Sequence, residues 1–102
     1  MKHADLIQQM TLEEKCYLLS GKDFWQTRSV NRLGVANMTL SDGPHGVRKQ
    51  DGAGDQLGLN PSLPATCFPT AAGIANSWDP ALGEEIGRHL GAEAASQGVG
   101  VL

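Results

Sequence analysis

The sequence is poor in the features that staple small proteins together or draw them to polyanions. It has only two cysteines, Cys16 and Cys67. They are widely separated, match no metal-ligand spacing and lie in apolar surroundings, so buried free thiols and a reducing compartment are expected. There is no excess of positive charge: eight Lys and Arg face eleven Asp and Glu, giving a net charge of -3 and a pI near 5.4. The basic residues are scattered and not interleaved with aromatics, which argues against a nucleic-acid partner. No apolar run approaches membrane-spanning length, so no membrane partner is expected. The N-terminal stretch MKHADLIQQM lacks the apolar core of a signal peptide, from which a cytoplasmic location is expected. Glycine, by contrast, is plentiful. Thirteen glycines and five prolines in 102 residues imply many tight turns or close backbone approaches. The 40% apolar and 19% charged content is otherwise that of one small globular unit.

Periodicity and capping residues divide the chain into short elements. Ala4 to Met10 predicts a short helix with Leu6, Ile7 and Met10 inward. Thr11-Leu12-Glu13-Glu14 has the form of a capping box opening a second helix, which is expected to run to about Ser20 with Cys16 and Leu19 on one face. Gly21 then stops it. Lys22 to Arg32 is irregular and carries Phe24 and Trp25. Val35, Ala36, Met38 and Leu40 mark a strand that ends at Asp42. Lys49 to Pro61 is a Gly/Asp-rich loop, and Ser62 to Ile74 is expected to be extended. Asp79-Pro80 is a strong helix start, with a side-chain cap and proline in the first turn. That helix should reach about Gln97, with Leu82, Ile86, Leu90 and Ala94 on one stripe and Gly98 as its stop. Gly83, Gly87 and Gly91 form a second stripe, each at a cost of about 1 kcal/mol relative to alanine, and predict that a neighbouring backbone approaches there. The terminal Gly98-Val99-Gly100-Val101-Leu102 reads as the opening of a buried strand. Two strands separated by a helix of this length indicate an α/β unit with a parallel sheet. Because that strand stops in mid-run, the chain is expected to be truncated after Leu102.

The chemistry concentrates in LSDGPHGVR, residues 40–48. Ligands of α/β folds gather at the carboxyl ends of strands, and Asp42 stands at such an end. A carboxylate there can accept charge-assisted bonds from neighbouring hydroxyls of one sugar ring, and Arg48 can return across the turn to pair with it. The alternative is that Asp42 only caps the turn, since Asp-Gly-Pro is common turn chemistry. His45 has no serine, cysteine or second ligand beside it and forms no catalytic constellation. Trp25 with Phe24 is either a sugar-stacking platform or a staple of its loop. Gly52-Ala53-Gly54-Asp55 is neither G-x-G-x-x-G nor an EF-hand and reads as a flexible loop. Glu84 and Glu85 suit the first turns of a helix and a solvated face.

The segments MTLEEKCYLLSGKDFW, RLGV, LSDGPHGVR and LPATCFPTAAGIANSWDPALGEEIGRHLGAEAASQGVGVL together resemble the N-terminal part of glycoside hydrolase family 3, β-glucosidase type. The resemblance covers essentially all of residues 1–102. It implies an α/β fold that is the incomplete N-terminal portion of a (β/α)8 TIM-type barrel, a form that needs about 250 residues when complete. It also implies a retaining hydrolase acting on a β-glucoside or oligosaccharide, with no cofactor and no metal. On this likeness Asp42 and Arg48 bind the sugar in the −1 subsite; Trp25 stays a stacking candidate on its residue type alone. The family's aspartate nucleophile and glutamate acid/base belong to segments beyond Leu102, so no catalytic residue is expected here and the isolated chain should be inactive. The competing class is a non-catalytic fragment or a small carbohydrate-binding or interaction module.

Overall fold

The computed structural model describes residues 2–43, 45–52, 54 and 57–102. Pro44 of the Asp-Gly-Pro turn and Ala53 and Asp55 of the Gly/Asp loop therefore lie outside the described residues. The helices are α1 (Ala4–Gln9), α2 (Leu12–Leu18), α3 (Ala71–Ala75) and α4 (Pro80–Ser96), with a single 3-10 turn at Asn31–Leu33.

The capping signals fix the helix starts. Glu14 N–H donates to Thr11 Oγ1 at 3.1 Å and Thr11 N–H to Glu14 Oε2 at 2.9 Å, the reciprocal box read from the sequence. Asp79 Oδ1 accepts from Ala81 and Leu82 N–H at 2.9 and 3.2 Å, and Pro80 occupies the first turn of α4. The end of α4 is a Schellman motif. Gly98 is left-handed (φ 73) and its N–H donates to Ala95 O, while Val99 N–H reaches Ala94 O at 2.9 Å. Ala94 and Val99, both buried, make the apolar contact that accompanies it and join Val47 in a small core flanked by Leu90.

Several expectations are corrected. The second helix stops at Leu18, two residues early, and Leu19 is 90% exposed instead of packed. Both cysteines are free, but both are exposed: Cys16 on α2 and Cys67 in the irregular segment before α3. Ile7 is also exposed, leaving Met10 as the buried residue of its segment. Residues 62–74 are not extended throughout, because Thr70 accepts the N–H of Gly73 at 3.1 Å and nucleates α3. The glycine stripe of α4 meets nothing among the described residues: a β-carbon on Gly83, Gly87 or Gly91 would find open space.

No continuous strand forms among the described residues, and pairing is confined to isolated bridges. The parallel arrangement is nevertheless present in miniature. Leu40 and Val101 form a parallel bridge, with Ser41 N–H donating to Val101 O at 3.0 Å and Gly100 N–H to Thr39 O at 2.8 Å. On its other side the 38–40 segment pairs antiparallel with residues 25–27, Leu40 N–H donating to Trp25 O at 2.7 Å, but each pairing is limited to one bridge, and only Val99 of the terminal run is buried. The radius of gyration is 16.9 Å, against about 13 Å for a compact domain of this length. No large side chain is fully buried among the described residues. Among the described residues, no helix is long and apolar enough to cross a membrane.

Candidate functional site

The Leu40–Val101 pairing carries the chain to buried Ser41 and delivers Asp42 at its carboxyl end. A tight turn follows. Arg48 N–H donates to Asp42 O at 2.9 Å and closes it, while Gly46 N–H approaches Gly43 O at 3.5 Å. Glycine is required at two places in it. A methyl group on Gly43 would overlap the Gly46 carbonyl, and one on Gly46 (φ 145) would overlap the carbonyl of Thr66.

Closing the turn returns Arg48 to Asp42 in a two-pronged ion pair. Nε donates to Oδ1 at 2.9 Å and Nη2 to Oδ2. The carboxylate stays 44% exposed, so oxygen lone pairs still face outward. The Arg48 hydrogen bonds hold its pKa below the usual aspartate value, against a smaller opposing effect of burial. Asp42 is therefore a permanently charged acceptor of fixed orientation at neutral pH.

The other candidates fall elsewhere. Trp25 is half-buried and its indole Nε1 donates to Gln50 Oε1 at 3.0 Å, which ties the 22–26 loop to buried Gln50. It lines a polar cleft of about 440 Å³ together with Lys22, Ser41, Lys49 and Asp51. Asp42 is not among the residues lining that cleft. Arg48 instead borders a shallow depression with His45, Thr66 and Cys67. Phe24 is 60% exposed and shares neither cavity. The His45 side chain is exposed, and its carbonyl accepts Phe68 N–H at 2.7 Å. Glu84 and Glu85 sit on an exposed face, opposite Arg88 at 3.4 Å and His89 at 3.9 Å.

One participant is not singled out by the sequence motifs. Glu93 bends from α4 to Thr66, accepting its N–H at 2.9 Å and its hydroxyl at 3.2 Å on Oε1. The signal was available: Glu93 lies three residues after Leu90 and seven after Ile86, on the inward register of the helix.

With this geometry in place, similarity to known proteins gives the class. Along nearly its whole length the chain is similar to a segment of β-glucosidases, which bears out the resemblance drawn from LSDGPHGVR and LPATCFPT. It is 52% identical over 97 residues to thermostable β-glucosidase B of Acetivibrio thermocellus, covering 95% of this chain and 13% of that protein. It is 39% identical over 97 residues to an exo-α-(1→6)-L-arabinopyranosidase of Bifidobacterium longum, covering 94% of this chain and 13% of that one. Among solved structures, a Kluyveromyces marxianus β-glucosidase in complex with glucose superposes with a TM-score of 0.82 at 31% identity, over 96% of this chain and 11% of the other. No family model matches. The chain thus corresponds to part of a larger glycosidase domain and spans about an eighth of the length of such relatives.

Proposed function

We propose that residues 1–102 are the N-terminal part of a retaining β-glucosidase that removes terminal β-D-glucosyl residues, and that they open its (β/α)8 barrel. The supporting observation is the Asp42 carboxylate, held by Arg48 at the end of a parallel pairing with its outer lone pairs open. In this reading Asp42 accepts hydrogen bonds from adjacent hydroxyls of the sugar in the −1 subsite. Arg48 keeps the carboxylate ionised and oriented, and Trp25 is a stacking surface at the rim. The nucleophile and the acid/base, about 5–5.5 Å apart in a retaining enzyme, come from other parts of the longer protein. Bonds from Asp42 to ring hydroxyls strengthen as the ring flattens towards its oxocarbenium-like transition state, so they lower the barrier as well as bind.

The arabinopyranosidase relative favours a second reading of the substrate, a pentopyranosyl ring that lacks the hydroxymethyl group. Hydrolysis of aryl β-D-glucoside and aryl α-L-arabinopyranoside by the full-length protein separates the two. Either reading needs Asp42. Its replacement by alanine should cost roughly 2–4 kcal/mol, about 30- to 1000-fold in kcat/KM. Near-normal kinetics in Asp42→Ala would remove the assignment.

A further inference from the structure

The Asp42–Arg48 turn does not stand alone. Its central residue Gly46 packs so closely on the Thr66 carbonyl that no β-carbon fits between them. Its His45 carbonyl is bonded to Phe68 N–H at 2.7 Å. The 66–68 segment is therefore the floor on which the turn rests. That floor is a short, largely exposed stretch with no helix of its own, and among the described residues its side-chain tie to α4 is Glu93, whose Oε1 takes both the N–H and the hydroxyl of Thr66. Gln97, one turn further along α4, adds two contacts: its Nε2 reaches Pro64 O at 3.4 Å, and its carbonyl accepts Lys49 Nζ just after the turn.

Two oxygens on this face of α4, Glu93 Oε2 and Gln97 Oε1, are buried without a hydrogen-bond partner among the described residues. A half-buried carboxylate with one oxygen unpaired is a costly way to fill a helix face, and an apolar residue would pack there without the desolvation penalty. Ile86, Leu90 and Ala94 occupy that same face.

We infer that Glu93 is the positioning residue of the sugar-binding turn: through Thr66 it fixes Gly46 and His45, and so the direction in which Asp42 and Arg48 present their charges. The inference rests on the sugar-binding reading of Asp42 and extends it to a residue that touches no sugar. A shift of about 1 Å in a positioning element can cost on the order of 100-fold in rate. The chain of contacts is short enough for such a shift to reach Asp42.

Two readouts in the full-length protein test it, one independent of activity. Glu93→Ala should raise amide hydrogen exchange in segments 45–48 and 66–68 by about tenfold, while the Val30–Val35 pair exchanges as in the parent protein. It should also lower kcat/KM on an aryl β-glucoside by about 10- to 100-fold. Glu93→Gln keeps an oxygen for Thr66 and supplies an N–H2 group towards the unpaired Gln97 oxygen, so it should restore both protection and rate. Should Glu93→Ala fail to fold, Thr66→Val, which removes one of the two bonds, should give the same local pattern in smaller measure. Exchange that rises evenly over the chain, that rises at residue 66 alone, or that Glu93→Gln does not restore would overturn the inference. If the exchange pattern holds but the parent protein hydrolyses no glycoside, the positioning role stands and the sugar reading falls.

Discussion

The molecule contains the same ion pair twice, in two regions with opposite uses. In the N-terminal region Arg32 grips Glu14 with Nε at 2.7 Å and Nη2 on the other oxygen, and Arg48 grips Asp42 in the same two-pronged way. The surroundings differ. Glu14 also accepts Thr11 N–H, and Arg32 also donates to Gln9 O at 2.8 Å, so the pair locks α1, α2 and the 3-10 turn together. Its carboxylate is 22% exposed, against 44% for Asp42. Glu14 uses its oxygens within the fold, whereas the Asp42 carboxylate leaves part of its acceptor capacity facing solvent, as the proposed sugar-binding role requires. An arginine–carboxylate pair alone thus carries no functional meaning. What distinguishes a binding carboxylate is acceptor capacity left facing outward from a rigid turn.

The comparison breaks most visibly in kinetics. Asp42→Ala in the full-length protein should reduce kcat/KM by about 30- to 1000-fold. Glu14→Ala, assayed on the same aryl β-glucoside, should leave kcat/KM near that of the parent and lower only Tm. Equal kinetic losses in both would erase the distinction. Next in size is Gly46→Ala, which forces a side chain into a left-handed backbone and against the Thr66 carbonyl. The expected cost is on the order of 1–3 kcal/mol in denaturant unfolding, accompanied by weaker sugar binding. Thr11→Ala removes the cap of α2 and should cost about 1 kcal/mol with sugar affinity unchanged.

The smallest effect is acid sensitivity. Arg32 and the capping box hold the Glu14 pKa down from 4.5 to about 2, and Asp42 is shifted in the same direction by Arg48. Between those limits the unfolded chain binds more protons than the folded one. This stabilisation is complete above the ordinary carboxylate range and is lost as pH falls towards 2. Melting temperatures followed from about pH 6 to about pH 2.5 should decline, and Arg32→Gln should flatten that decline. An unchanged slope would exclude Glu14 as a source of it.

Signals that act within four residues were readable in the sequence. Thr11–Glu14, Asp79–Pro80 and the Gly98 stop are local chemistry and appear as expected. The Asp42–Arg48 pair was also legible, because a glycine-bounded turn leaves the arginine few places to go. What could not be read depends on contacts across the chain. Cys16 and Cys67 have apolar neighbours in sequence but are exposed, because burial is set by which segments pack over a residue and not by its sequence neighbours. The tie from Glu93 to Thr66 spans 27 residues, and nothing in either local sequence names the partner. Trp25 reads as a staple or a platform, and the partner of its indole, Gln50, lies 25 residues away where local sequence does not name it.

The most direct test of the outward-facing carboxylate is calorimetric titration of glucose into the full-length protein and its Asp42→Asn and Glu14→Gln variants. Asparagine keeps the shape and one acceptor oxygen but removes the charge that strengthens the sugar bonds. The account predicts that Asp42→Asn weakens glucose binding by at least about tenfold while Glu14→Gln binds as the parent does. Equal affinity in all three proteins would contradict it.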